Sequence, residues 1–219
     1  MMTFPQAKLA QQHPDWILVT DNEEKPIDKH WWLDPNNPQV QEYFVNLLTE
    51  VVRAYPDLYG IQLDDHWGIP VQFGNKMEAM TELTRQVVAA VRKIRPDLVI
   101  SLSPNPLGFS RKKYAQDWLA WINEELINEL VMQLYLPTSA EVALAMNNSI
   151  LAQISPNIDV AVGIYAGGLR GQKPLAEIQQ QISTVKQYGY GYAIFPWKTS
   201  FGLLRQASTK DKDHFLKAV

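Results

Sequence analysis

The sequence predicts an α/β fold built from repeated βα units around a parallel sheet. Three observations predict it. From residue 59 onward, short apolar strands alternate with amphipathic helices at intervals of roughly thirty residues, the spacing of parallel βαβ units. Within each strand, apolar residues alternate with polar or aromatic ones, which places the two kinds on opposite faces. The polar and aromatic members gather at the C-terminal end of every strand.

Each element has its own signature. A helix over Pro38–Ala54 starts at Asn37 as N-cap, with Pro38 in the first helical position. The first strand, Tyr59–Asp64, sets Ile61 and Leu63 against Gln62 and Asp64. A helix over Lys76–Ile94 is closed by Pro96-Asp97. In the strand Leu98–Ser103, Ile100 and Leu102 face the helices, while Ser101, Ser103 and the following Asn105 face inward. After a helix at Asp117–Asn128, the strand Leu130–Tyr135 turns Met132 and Leu134 outward, Gln133 and Tyr135 inward. A helix at Ala140–Ile154 leads to the strand Asp159–Tyr165, where Val162 and Ile164 oppose Gly163 and Tyr165. Gly189 ends a helix over Leu175–Tyr188, and in Gly191–Pro196 Tyr192 and Ile194 oppose Ala193, Phe195 and Trp197. A shorter helix is expected near Leu203–Val219.

This gives five strands, where a closed barrel has eight. Residues 1–37 read as loop, with one short helix at Gln6–Gln12 and an extended run at Trp16–Thr20. That run has no crossover helix before the next segment, so it is a poor barrel strand. Two topologies stay open on these grounds: an open five-stranded α/β sheet, or a (β/α)8 TIM-type barrel lacking its first three units.

Composition removes several function classes. At 219 residues and 46% hydrophobic content, the chain buries a full core and suits one domain over 1–219. The net charge is −3 and there is no basic run, which disfavours nucleic acid. Cysteine is absent, which excludes disulfides and thiol chemistry without fixing the compartment. No apolar run is long enough to span a bilayer, so the expectation is a soluble product with no membrane span.

The most informative stretch is Gly60-Ile61-Gln62-Leu63-Asp64-Asp65-His66. A polar inner row ending in carboxylate needs a reason, and glycoside cleavage supplies one. An oxocarbenium-like transition state needs one ionised carboxylate beside the sugar and one proton donor near the leaving oxygen. In barrel enzymes such groups sit at the C-terminal mouth. Asp64 is the leading catalytic candidate; its bland reading is a strand-end Asp capping the next turn. Asp65 is the default acid/base, although alternation throws it away from Asp64 unless the chain bends, and Glu23, Glu24 and Asp34 are loop-borne alternatives. Gln62, His66, Asn105, Gln133 and Tyr135 are candidate sugar-binding groups, each weighed against a role as a satisfied inner polar residue. Trp197 is a candidate stacking floor, and of Trp31 and Trp32 one packs under the loop while the other, taken as Trp32, faces substrate.

No metal is assigned and no organic cofactor is required. Adjacent residues rarely converge on one ion, and neither His13 nor His30 has metal spacing to His66. Gly167-Gly168-Leu169-Arg170-Gly171 has the look of a phosphate loop but lacks the Lys-Ser/Thr pair, so it reads as a βα loop.

Several motifs together resemble a bacterial family. His13-Pro14-Asp15-Trp16, Trp32-Leu33-Asp34-Pro35, Pro38-Gln39-Val40 and the stretch at residues 60–66 are similar to the "family 10 glycosylhydrolase" proteins, the glycosyl hydrolase-like 10 family. Ser101-Leu102-Ser103-Pro104-Asn105, Gln133-Leu134-Tyr135 and Phe195-Pro196-Trp197 match its later strand ends in order. The resemblance implies a (β/α)8 barrel of which about five units are present, with residues 1–37 as a long βα loop. It implies hydrolysis of O-glycosidic bonds in a polysaccharide or oligosaccharide, including peptidoglycan strands stripped of peptides. It also implies export or a cell-envelope location for the full-length protein. The alternatives are a catalytically inactive carbohydrate-binding or assembly protein, self-associating through an open strand edge at Tyr59–Asp64, and a metal-dependent de-N-acetylase.

Overall fold

The computed structural model describes residues 1–23, 26–154, 157–168, 171–209 and 212. In chain order its elements are β1 (Met2–Thr3), α1 (Lys8–Gln12), β2 (Trp31–Trp32), α2 (Pro38–Ala54), β3 (Gly60–Asp64), α3 (Met77–Ile94) and β4 (Val99–Ser103). There follow α4 (Leu107–Tyr114), α5 (Trp118–Asn123), β5 (Glu129–Gln133), α6 (Ser139–Asn147) and β6 (Asp159–Tyr165). The chain continues through β7 (Gly167–Gly168), β8 (Gly171–Gln172), α7 (Leu175–Gln187), β9 (Gly191–Phe195) and α8 (Trp197–Gln206). The five longer strands form one parallel sheet in the order β3-β4-β5-β6-β9. These are the five strands expected from the alternation, with ends shifted by two residues at most. The chain divides into two compact units, residues 1–102 with 107–128, and residues 103–106 with 129–219.

In the first unit the core lies along α3. Its apolar residues Met80, Leu83, Val87 and Val91 recur at helical spacing and are buried. Two polar residues sit among them, Thr81 and Thr84. Thr84 accepts the Trp67 indole N–H at 2.9 Å and Thr81 accepts that of Trp121 at 2.9 Å. Each threonine returns its own proton to the carbonyl one turn back, Met77 O at 3.0 Å and Met80 O at 2.7 Å. Buried indole and hydroxyl groups are thus paired with one another, which removes the cost of dehydrating them.

The Asn37 cap forms as expected: its Oδ1 accepts from Gln39 N at 2.9 Å. Asn37→Ala should lower stability by about 1 kcal/mol, read as a shift in urea midpoint at constant slope. A change below about 0.3 kcal/mol would show the cap to be redundant.

The N-terminal region is more ordered than a plain loop. β1 pairs antiparallel with β2, Met2 opposite Trp32 and Thr3 opposite Trp31, and Ile17 bridges Leu33. The Trp16–Thr20 run therefore pairs locally and stays outside the five-stranded sheet. Its front end, Pro14–Trp16, is a 3-10 turn.

Two helices are shorter than their patterns suggested. The helix expected over Asp117–Asn128 ends at Asn123, and Glu125 takes a left-handed φ of 57°. The one expected over Ala140–Ile154 ends at Asn147, followed by a 3-10 turn at Leu151–Gln153. Its start is fixed by a capping box, Thr138 with Glu141. Helix α4 was missed because it buries only Ser110 and Tyr114, which leaves no apolar stripe to detect. Most of the helix expected at Leu203–Val219 lies outside the described residues; α8 ends at Gln206.

In the second unit, β5 pairs with β6 and β6 with β9, all parallel, with Gln133 opposite Gly163 and Tyr165 opposite Phe195. Met132, Val162 and Ile164 are buried, as the alternation required. Among the described residues, no helix is long and apolar enough to cross a membrane.

Candidate active site

Strand β3 ends where the chain turns sharply. Trp67 N donates to Asp64 O at 3.1 Å, and His66 N donates to the Asp64 carboxylate Oδ1 at 2.9 Å. Asp64 therefore does cap its own turn. The turn also brings its neighbours together: Asp65 Oδ1 lies 3.1 Å from His66 Nδ1, and one ligand atom each of Asp64, Asp65 and His66 falls within a 4.8 Å cluster. The chain bends at the strand end, which is the condition under which Asp65 is expected to stay near Asp64. Alternation holds only while the strand lasts, and it stops at Asp64. These three side chains are the group that could hold a divalent cation among the described residues.

The electrostatics of the trio centre on His66. Its hydrogen bond to Asp65 raises its pKa above 6.5, against a lowering by burial, and the charges of Asp65 and Asp64 add to the rise. A folded-state pKa above the unfolded one means that the pair stabilises the protein fully below about pH 6.5, and that this contribution is lost as pH rises through the raised value. Asp65→Asn removes the largest raising cause while burial stays, so the His66 pKa should fall. An NMR titration of the His66 ring protons reads this directly, and an unchanged pKa would mean that Asp65 does not hold the ring.

Three further groups stack on or hydrogen-bond to this turn. The Trp32 ring stacks on His66 at 5.9 Å and 15°, and it is fully buried, its indole donating to Ile27 O at 3.1 Å. The expected direct face to substrate is corrected for Trp32, which instead supports His66; Trp31 is the half-buried one of the pair. Gln116, also fully buried, donates to Asp64 O at 3.2 Å and Trp67 O at 3.0 Å. Sequence reasoning missed it, since no local signal ties a residue in the α4–α5 turn to β3. The Met1 nitrogen donates to His66 O.

Of the remaining candidates in this unit, Gln62 and Asp34 are committed to partners. Gln62 Nε2 donates to Ser101 Oγ at 2.8 Å. Asp34 Oδ1 accepts from Asn36 N at 3.0 Å and pairs with Lys76 Nζ at 3.3 Å. Glu23 is exposed, and Glu24 lies outside the described residues.

In the second unit, Gln133 Nε2 donates to Ser103 O at 2.8 Å, a satisfied inner polar pair. Tyr135 stacks on Phe195 at 5.5 Å and 12°, and Tyr165 tilts against it at 5.6 Å. Gly163 leaves room for this: a Cβ there would lie 3.4 Å from the Tyr135 ring. Phe195 is 52% exposed, so the cluster presents an aromatic face to solvent at the C-terminal strand ends. Beside it a cavity of about 260 Å³ is lined by Tyr135, Tyr165, Gly167, Gly171 and Lys173. A larger one, about 570 Å³, sits at the opposite, N-terminal strand ends among Glu129, Asp159 and Gly191. It lies away from every candidate residue, as βα-barrel chemistry collects at C-terminal ends. Asn105 is half-buried. The Trp197 side chain and Leu169-Arg170 lie outside the described residues.

A parallel βα sheet with acids and aromatics at its C-terminal strand ends has the architecture of glycosidase-type barrels. The backbone matches α-galactosidases: that of Lactobacillus brevis with a TM-score of 0.66 and 14% identity, over 99% of this chain and 28% of that one. The GH36 enzyme AgaA of Geobacillus stearothermophilus matches with a TM-score of 0.65 and 12% identity, over 99% and 29%. A GH18 chitinase of Pseudoalteromonas aurantia gives 0.55 and 16%, over 83% and 70%. At these identities the likeness concerns the fold alone.

The chain belongs to the glycosyl hydrolase-like 10 family, whose model matches residues 1–84 and 76–184. "Family 10 glycosylhydrolase" is a loose name for it. The glycosyl hydrolase DigH of Escherichia coli K12 is 26% identical over 172 residues, covering 63% of this chain and 37% of DigH. The DigH of E. coli O6:H1 gives the same figures. The chain thus spans well under half the length of these relatives.

Proposed function

We propose that the chain acts in hydrolysis of O-glycosidic bonds in a bacterial polysaccharide, with peptidoglycan glycan strands as the first candidate. The observation that carries this is the convergence of Asp64, Asp65 and His66 at the end of β3, in a member of a glycosyl hydrolase-like family. Asp64 serves as nucleophile or charge stabiliser beside the anomeric carbon. Asp65 is the acid/base, and its 3.1 Å contact with His66 Nδ1 supplies a ring partner for the proton it exchanges. Asn105, Gln133, Tyr135 and Trp197 bind sugar, and Gln62 orders the inner layer through Ser101.

A second reading keeps the sugar surface without the chemistry. It is favoured by the Asp64 hydrogen bond to His66 N, which suffices to explain that carboxylate as a turn cap. In this case the outer strand β3, preceded by the 79% exposed Tyr59, pairs with another chain. Release of reducing ends from peptide-stripped bacterial glycan strands supports the hydrolase. Binding without release, with a concentration-dependent mass in light scattering, supports the second reading. Loss of acetate instead of new reducing ends, abolished by chelator, would replace both with metal-dependent deacetylation.

A further inference from the structure

We propose that the cavity beside Tyr135 and Tyr165 is a subsite for a sugar ring bearing a carboxylate, with the two rings as its apolar wall and the Lys173 ammonium meeting the anion. The proposal rests on the glycan reading above and narrows its substrate class. At about 260 Å³ the cavity falls just below the roughly 300–1,000 Å³ of pockets that enclose larger ligands, so it suits one ring. Tyrosine faces offer an apolar surface with a polar edge, which matches the C–H face and hydroxyl rim of a pyranose.

Lys173 gives the cavity its sign. The backbone is pinned by Lys173 N donating to Ala166 O at 3.1 Å. The Nζ donates to Leu136 O at 2.7 Å and to Gln181 Oε1 at 2.9 Å. Both acceptors are neutral, and an ammonium has three protons to give. Among the described residues no carboxylate pairs with it within 4.0 Å. The two acids whose charges act on it have partners of their own, Glu141 in the Thr138 capping box and Glu177 with Ser139 N and Gln181 Nε2. Burial accordingly lowers the Lys173 pKa, outweighing the pull of Glu177 and Glu141. A half-buried cation held by neutral acceptors beside an aromatic cavity gains most from an anionic ligand, because a charge-assisted bond offsets its dehydration. A purely structural Lys173, tying Leu136 O to α7, would show no preference among ligands.

The test follows the Tyr135 and Tyr165 ring signals by NMR while two matched pairs are titrated. One pair is methyl glucuronide against methyl glucoside; the other is N-acetylmuramate against N-acetylglucosamine. At least one acid should bind about tenfold tighter than its neutral match. Lys173→Met should reduce that gap to within about twofold, and Lys173→Arg should keep most of it. Thermal unfolding of both variants reports any structural loss separately. Equal binding of acid and neutral sugars, a gap that survives Lys173→Met, or ring signals unmoved by all four sugars would overturn the subsite. Turnover of neutral chito-oligosaccharides with no acid preference would sink the subsite and spare the hydrolase. Acid-selective binding without turnover of any glycan would do the reverse.

Discussion

Asp64→Asn is expected to lower glycan turnover by at least about 10³-fold while leaving glycan binding within about twofold. The substitution keeps the shape of the side chain and an oxygen able to accept from His66 N, so the turn at residues 64–67 survives. What disappears is the negative charge. An oxocarbenium-like transition state carries positive charge at the anomeric carbon that the bound ground state lacks, so the loss falls on kcat more than on binding. If Asp64 is only a turn cap, Asn does the same job and turnover is unaffected. Comparing kcat and glycan Kd for the two proteins separates these outcomes, and turnover above a tenth of wild type would remove Asp64 from the chemistry.

Trp121→Ala should destabilise the protein by about 3–5 kcal/mol, the largest structural effect foreseen here. Trp121 is fully buried and its indole donates to Thr81 Oγ1 at 2.9 Å. Truncation leaves a cavity against α3 and strands a buried hydroxyl lone pair, and each adds to the loss. Urea unfolding followed by circular dichroism measures it. A loss below about 1 kcal/mol would mean that the first unit's core does not run through α5.

Residues that obey a period were legible in the sequence; residues that depend on a turn were not. Leu63, Ile100, Leu102, Met132, Val162 and Ile164 are buried on the helix-facing side of their strands because a strand has a period of two and the chain keeps to it. Asn37 and Pro38 announced α2 because capping is local chemistry. The approach of Asp65 to His66 depends on where β3 stops, and a one-residue difference there would reverse it. Glu125 cuts α5 short with a left-handed backbone, a conformation that glutamate does not advertise. Gln116 bonds to Asp64 from 52 residues away and Lys173 bonds to Leu136 from 37 away, so only the fold reveals either. Trp32 shows the limit from the other side. Of the Trp31–Trp32 pair it is the ring expected to face substrate, yet it is sealed beneath His66.

The most direct test is mass spectrometry of the products when peptide-stripped bacterial glycan strands are incubated with the purified chain in H₂¹⁸O. Glycosidic hydrolysis puts one water oxygen on the anomeric carbon it frees, so new reducing-end fragments should each carry a single ¹⁸O, and none should form with Asp64→Asn. Intact strands that bind but never shorten would contradict the account, as would strands of unchanged length that lose acetyl groups.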